Sequence, residues 1–386
     1  MKISGFFVFL SIVLLIYASV NFYILRRLWQ ALGEWGIYRH LIFYVVLLLM
    51  LSYPVGRFTE RIARSGFSES LVSLGSFYLA MMVYAFFLLL LVDILRLGNH
   101  LFSIFPSFIT ADPQKSVRLT ALGITLILGI IVGIGHLNAL HPVVRTVNIH
   151  LPKAVNPLPG AKIVLVSDIH LGTLIRNSRL LKIVRKINSL KPDVVLLAGD
   201  VVDEDVAPVA EQNMAENLRQ IRSKWGTYAI TGNHEYFGGV ERAISYLQQG
   251  QVTVLQDSAV KVANAFYLIG RKDRIAEQMA GGRKSLAELM EGVDRNWPLI
   301  LLDHQPFHLD SAQQQGIDLQ LSGHTHHGQL FPFNWITRRV YELSWGYLRK
   351  GNTHYYVSCG VGTWGPPIRI GSRPEIVEIN LTFGVR

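Results

Sequence analysis

The chain has 386 residues, half of them hydrophobic, a formal net charge of +10 and one cysteine. A single cysteine excludes an internal disulfide framework, and the net charge taken alone would suit a nucleic-acid partner. Divided after residue 160, however, the excess is +7 in the first part, with 12 Lys/Arg against 5 Asp/Glu, and only +3 in the second. Basic residues flanking apolar helices are what membrane topology favours, so no nucleic-acid partner is expected.

Residues 1–141 read as an all-α membrane module. Of four apolar runs, 3–25, 41–53, 71–95 and 119–140, three are near or above the ~20 residues that cross a bilayer, while the second is shorter and needs Ile37, Tyr38 and Val55 at its margins. Arg26-Arg27 directly follows the first run, and no small-x-small site ends its apolar core, so it reads as an uncleaved anchor and not a secretory signal. The twin arginines, with Arg39, favour a cytoplasmic end there and hence an extracytoplasmic carboxy-terminal domain, whereas Arg57, Arg61 and Arg64 argue the other way. Cys359 is compatible with either compartment. Residues 98–118, with Phe102, Phe105 and Phe108, suit either a surface-lying helix or a loop. Residues 142–160, with Pro142, Pro152, Pro157 and Pro159, read as an extended linker.

Residues 161–386 change character: short apolar runs alternate with helical pattern and Gly-containing turns. The run 163–166 is a predicted strand that exits into Asp168 and His170, a carboxylate and an imidazole at a spacing that lets both reach one metal ion. Residues 178–190 have helical periodicity. The run 194–198 exits into Gly199-Asp200-Val-Val-Asp203, and a carboxylate such as Asp200 has two oxygens with which to bridge cations. After helical pattern at 214–221, a third strand ends in Gly232-Asn233-His234-Glu235. Helical pattern at 240–248 leads to strands at 252–255 and 266–270 and to a long helical stretch, 274–293, interrupted by Gly281-Gly282. The runs 299–302 and 319–322 exit into His304 and into Gly323-His324-Thr-His326. Five apolar runs that each end in ligand-type residues converge naturally in a sheet that carries its site beyond the carboxyl ends of its strands.

This ordered set resembles the calcineurin-like metallophosphoesterase superfamily, and longer phrases at 232–237, 322–329 and 360–376 are similar to its membrane-associated bacterial subgroup of the YkuE and YaeI type. The resemblance implies a two-layer β sandwich flanked by helices, with two divalent metal ions over the strand ends. It implies that Asp168, His170 and His326 hold one metal, that Asn233, His304 and His324 hold the other, and that Asp200 bridges them. A mixed carboxylate, imidazole and amide set suits Mn, Fe, Zn, Ni or Co better than Ca. The implied reaction is hydrolysis of a phosphoester, whether diester, monoester or pyrophosphate, by a metal-bridging hydroxide. His234 is the expected catalytic partner at the phosphoryl or leaving oxygen, with Glu235 expected to orient it.

Glu204-Asp205 stands where phosphoprotein phosphatases of the superfamily carry Arg-Gly, which argues against a phosphoprotein substrate. Arg369 either meets a phosphate as a bidentate donor or lies on the surface, and His327 either adds a donor near the substrate or faces solvent. His308, four residues after His304, is separated from it by Pro306, which favours a turn over a shared helical face. A membrane-anchored enzyme makes a lipid-linked phosphoester and the bilayer the natural partners. The alternative is a non-catalytic membrane sensor that keeps its metal for structure; a zinc peptidase is excluded by the lack of His-Glu-x-x-His.

Overall fold

A computed structural model describes residues 3–33, 35–155 and 158–384. The chain divides into two compact units, Met1–His136 with Gly365–Ile368, and Leu137–Trp364 with Arg369–Arg386.

The first unit is helical. α1 (Ile3–Leu32), α2 (Ile37–Ile62), α3 (Gly66–Phe102) and α5 (Pro113–Leu140) are each long and apolar enough to cross a membrane. The second, whose apolar run is the shortest, continues as one helix through Pro54. α3, with 37 residues, spans about 55 Å at 1.5 Å per residue and so exceeds the ~30 Å hydrocarbon layer. The segment before α5 contains only a single turn of helix, α4 (Ser107–Thr110). Small residues let α2 and α3 approach closely: a Cβ on Gly75 would lie 2.3 Å from Tyr53 N, and one on Gly56 2.7 Å from Val72 N. Polar groups pair between spans, Tyr78 with Asn21, and Arg27 and Tyr23 with Asp93.

The second unit begins with the last turn of α5, and the chain between α5 and the first strand is only His141-Pro142. Its elements in order are β1 (Val143–Leu151), β2 (Gly160–Val166), α6 (Asn177–Ser189), β3 (Val194–Ala198), α7 (Ala207–Glu211), α8 (Met214–Leu218), β4 (Thr227–Ile230), α9 (Asn233–Gly238), α10 (Val240–Gln249) and β5 (Val252–Val254). There follow β6 (Ser258–Val262), β7 (Phe266–Gly270), α11 (Leu286–Leu289), β8 (Leu299–Leu302), α12 (Leu309–Gln314), β9 (Leu319–Ser322), α13 (Phe333–Val340), β10 (Gly346–Lys350), β11 (Thr353–Val357) and β12 (Glu375–Phe383). Two six-stranded mixed sheets form, in the orders β1-β12-β2-β3-β4-β5 and β10-β11-β9-β8-β7-β6.

Period-two alternation assigns each side chain to a layer. Ile163, Leu165, Leu196 and Ile230 face inward and meet Phe266, Leu268, Ile300 and Leu321 of the other sheet. Val164, Val166, Val195 and Leu197 face outward beneath α6, α8 and α10, through Ile183, Val184, Leu218 and Leu247. On the far side Ile269, Leu299, Leu301 and Tyr355 are covered by α11 and α12. Strands buried on both faces are apolar at every position, which is why these runs show no alternation. The architecture is the two-layer sandwich flanked by helices that the sequence predicts.

Two expectations are corrected. Much of the segment 142–160 is not a linker: β1 pairs in parallel with β12 over nine residues, Val143↔Glu375 to Leu151↔Phe383, because its backbone groups find a sheet edge. Of the prolines, Pro157 lies outside the described residues. The long helix at 274–293 is reduced to a 3₁₀ turn, Arg274–Gln278, and the short α11, since Gly281 and Gly282 take positive φ between them.

Candidate metal centre

β2, β3 and β4 are parallel neighbours in one sheet, and β8 and β9 are parallel neighbours in the other. Their carboxyl ends therefore deliver Asp168, Asp200, Asn233, His304 and His324 to one end of the sandwich. The local conformation is not the simple extended exit that residue spacing suggests. Asp168, His170, Asp200, His324 and His326 all have left-handed φ, between 46° and 71°, a region costly for residues with a Cβ and concentrated at functional sites.

Three groups of ligand atoms gather, each group's atoms within 4.8 Å of one another: Asp168, His170 and His326; Asp200, His304 and His324; and His170, Asp203 and His234. His170 Nε2 and His326 Nε2 are 3.0 Å apart, and His304 Nε2 is 3.0 Å from Asp200 Oδ2. Asp168 Oδ1 and Asp200 Oδ1 accept the backbone N–H of His324 and His234, each at 2.9 Å, so each carboxylate also ties one strand exit to another. Two side-chain oxygens, the carboxylate Oδ2 of Asp168 and the amide Oδ1 of Asn233, are buried without a hydrogen-bond partner among the described residues. Such atoms are expensive unless a cation satisfies them. The backbone makes room for this crowding: a Cβ on Gly232 would stand 2.2 Å from Asp200 Oδ1 and 2.6 Å from His304 Nε2. Buried imidazoles facing carboxylates and an amide oxygen are a donor set that fits a divalent transition metal.

His304 Nδ1 lies 2.7 Å from the carbonyl of Ala198, which turns Nε2 toward Asp200. Burial holds His324 down to about 3, reinforced by the charge of His304, so its imidazole is neutral. Burial would also lower His234, but the hydrogen bond to Asp203 and the charges of Asp200, Asp203 and Glu204 outweigh it and raise the imidazole to about 9. Asp203 itself is buried, and its bonds to His170 and His234 hold its carboxyl well below the usual range.

The structure redistributes the remaining roles. His234 is oriented by Asp203, whose Oδ1 is 3.0 Å from His234 Nδ1, and not by Glu235. Glu235 lies in the first turn of α9, where its Oε2 accepts the N–H of Gly232 at 2.7 Å and of Asp200 at 3.1 Å, and its Oε1 accepts that of Val202 at 2.9 Å. It is a clamp between two strand exits, closing back on Gly232 as a capping-box glutamate does. The second aspartate of Gly-Asp-x-x-Asp was visible in the motif, but only the fold brings it between His170 and His234.

Arg369 is fully buried and neither meets solvent nor reaches an open site. Its guanidinium donates to the carbonyls of Gly360 and Gly362, and Nη2 lies 3.1 Å from His326 Nδ1, so it supports the ligand loop from behind. His327 is buried too: Nδ1 lies 3.1 Å from Ser344 Oγ and the ring leans on Trp345. Neither the substrate-facing nor the solvent-facing reading of it holds. His308 is exposed and lies outside the three ligand groups.

Comparison with known proteins agrees with this geometry. The calcineurin-like phosphoesterase family model matches residues 161–328. A Helicobacter pylori protein named as an uncharacterized metallophosphoesterase is 34% identical over 242 residues, 62% of this chain and 64% of its own length. A Danio rerio transmembrane protein with metallophosphoesterase domain is 35% identical over 313 residues, covering 78% of this chain and 70% of that protein. The Bacillus subtilis metallophosphoesterase YkuE is 31% identical over 263 residues, covering 64% of this chain and 90% of that one. The chain therefore belongs to the calcineurin-like metallophosphoesterase family.

Proposed function

We propose that this protein is a multi-pass membrane phosphoesterase that hydrolyses a phosphodiester, phosphomonoester or pyrophosphate with two divalent metal ions. The observation that carries this reading is the convergence of seven ligand-type side chains, Asp168, His170, Asp200, Asn233, His304, His324 and His326, from five strand exits at one end of the sandwich. Asp168, His170 and His326 would hold one ion, Asn233, His304 and His324 the other, and Asp200 would lie between them. When bound, such ions supply positive charge for the phosphoryl oxygens and acidify a water toward neutrality.

The chain's own contribution is proton handling and positioning. With Nδ1 held by Asp203, His234 has Nε2 left to protonate the leaving oxygen as the P–O bond breaks and water adds to phosphorus. Asp203 keeps that imidazole charged and turned toward the centre. Arg369 and Glu235 brace the loops that carry His326 and Asp200.

The test is hydrolysis of p-nitrophenyl phosphate and bis(p-nitrophenyl) phosphate by the full chain with Mn²⁺, after chelation, and in Asp200→Asn. Chelator-sensitive turnover that disappears in Asp200→Asn is expected; metal content that persists with no turnover on any ester would favour a metal-binding sensor. His234→Ala should cost an alkyl ester about 10²–10⁴-fold and a p-nitrophenyl ester much less, since a good leaving group needs no proton. Equal losses on both esters would remove His234 as the acid. The twin arginines Arg26 and Arg27 at the end of the first span favour an extracytoplasmic catalytic unit: with four spans, Arg26, Arg27, Arg39, Arg96, Lys115 and Arg118 would share one membrane side, and Arg57, Arg61, Arg64, Arg145 and Lys153 the other.

A further inference from the structure

The helix α13 follows the ligand loop and leaves an apolar face uncovered. Trp335, Ile336 and Val340 are 61%, 58% and 54% exposed, and Phe331, just before the helix, is 41% exposed. Arg338 and Arg339 are interleaved with them, exposed, and no carboxylate pairs with either among the described residues. A short helix that presents Trp, Ile and Val beside free guanidinium groups has the chemistry of a segment seated at a bilayer surface, where stems bury in apolar matter and heads meet phosphates.

Its position in the second unit supports the same occupant. Asn138, in the last turn of α5, donates to the carbonyls of Arg369 and Ser372, each at 2.9 Å. Between those two residues, the carbonyl of Ile370 accepts the N–H of Phe331 at 2.8 Å, and Ile370 N–H donates to Gln329 O at 2.9 Å. One four-residue segment thus joins the exit of the last membrane-length helix to the start of α13.

The same surface runs to the metal centre. Tyr341, the residue after α13, has its ring 6.1 Å from that of His324. Trp364, 56% exposed, is tied to Gln329 through both its N–H and its carbonyl. Its ring and that of Phe237, 62% exposed, stand 5.9 Å and 5.6 Å from His234. A site for a small soluble phosphate has no use for exposed rings around its charged centre; a phosphate on an apolar tail does.

We propose that α13, with Phe331 and Trp364, lies in the headgroup layer of an anionic bilayer, and that the phosphoester cleaved is carried by a membrane amphiphile presented there. The second half rests on the phosphoesterase reading above; the first does not. Full-length protein and Trp335→Phe are placed in nanodiscs of phosphatidylcholine and phosphatidylglycerol, with and without brominated acyl chains. The Trp335 difference emission should be quenched by the brominated lipid and shielded from aqueous acrylamide; quenching by acrylamide and not by the lipid overturns the interfacial seat.

In the same discs, hydrolysis of phosphatidic acid and of a polyprenyl diphosphate, which separates the two lipid sources, is compared with that of p-nitrophenyl phosphate. The triple change Trp335→Ser, Ile336→Ser, Val340→Ser should lower turnover of the lipid ester at least tenfold and leave the soluble ester unchanged. Turnover of the soluble ester with none of either lipid overturns the substrate class alone. Turnover of no ester with metals bound overturns the phosphoesterase reading, while the quenching result still decides the seat of α13.

Discussion

Glu235 and Asp203 show how two buried carboxylates beyond neighbouring strands take different work from their surroundings. Glu235 spends both oxygens on the N–H groups of Gly232, Asp200 and Val202. Burial and the charge of Asp200 raise it to about 7 despite those bonds, and with both oxygens occupied it is a structural group and not a free base. Removing it leaves three buried donors unpaired at the exit that holds Asp200. Glu235→Ala should therefore cost at least about 3 kcal/mol, more than Glu235→Gln, which keeps one acceptor. Thermal unfolding checks this; an unchanged midpoint with reduced turnover would return Glu235 to the role of orienting His234. Asp203 touches His170 and His234 instead, and its place was legible only as the last letter of a motif. Arg369 and His327 were singled out as polar residues near ligands, yet each is consumed by buried hydrogen bonds, a fate that one-dimensional spacing does not record.

At the level of elements, apolar runs with no alternation marked β2, β3, β8 and β9, because a strand covered on both faces needs apolar residues throughout. β1, β10, β11 and β12 were not foreseen. Tyr347, Arg349, His354, Asn148 and His150 mix polar and apolar character into these strands; β1 and β12 also pair across the length of the domain, as in Val143↔Glu375, whereas β10 and β11 form a local hairpin, Lys350↔Thr353. The membrane helices were visible by length and hydropathy, but their contacts were not. Gly75 and Gly56 set the approach of α2 to α3. Gly75→Leu would drive a side chain into the Tyr53 backbone and should lower the thermal stability of the detergent-solubilised protein, with metal binding retained. Gly129→Ala on α5, where a Cβ meets nothing within 4 Å, serves as the control. Equal midpoints for the two variants would show that the α2–α3 contact is not tight.

For the molecule as a whole, sidedness is a question of where the basic residues lie relative to the spans. If all four helices cross the membrane, Arg26, Arg27, Arg39, Arg96, Lys115 and Arg118 fall on the side of the α1–α2 turn and Arg57, Arg61, Arg64, Arg145 and Lys153 on the other, so the arginine pair at the end of α1 carries the expectation of an external catalytic unit. External protease added to intact cells or spheroplasts should cut the catalytic unit, at exposed sites such as the Met279–Gly281 loop; cutting only in inverted vesicles would place that unit inside.

Sequence alone determined the division into a helical apolar part and an α/β part, the family, and the seven candidate ligands, because hydropathy, strand patterning and strand-exit motifs are local properties. Tertiary structure decided which polar groups pair: Asp203 on His234, Glu235 on three backbone donors, Arg369 beneath His326. It also decided that the surface beside the centre is apolar and basic. Those outcomes depend on burial and on the meeting of residues far apart in the chain, which no spacing within one segment encodes.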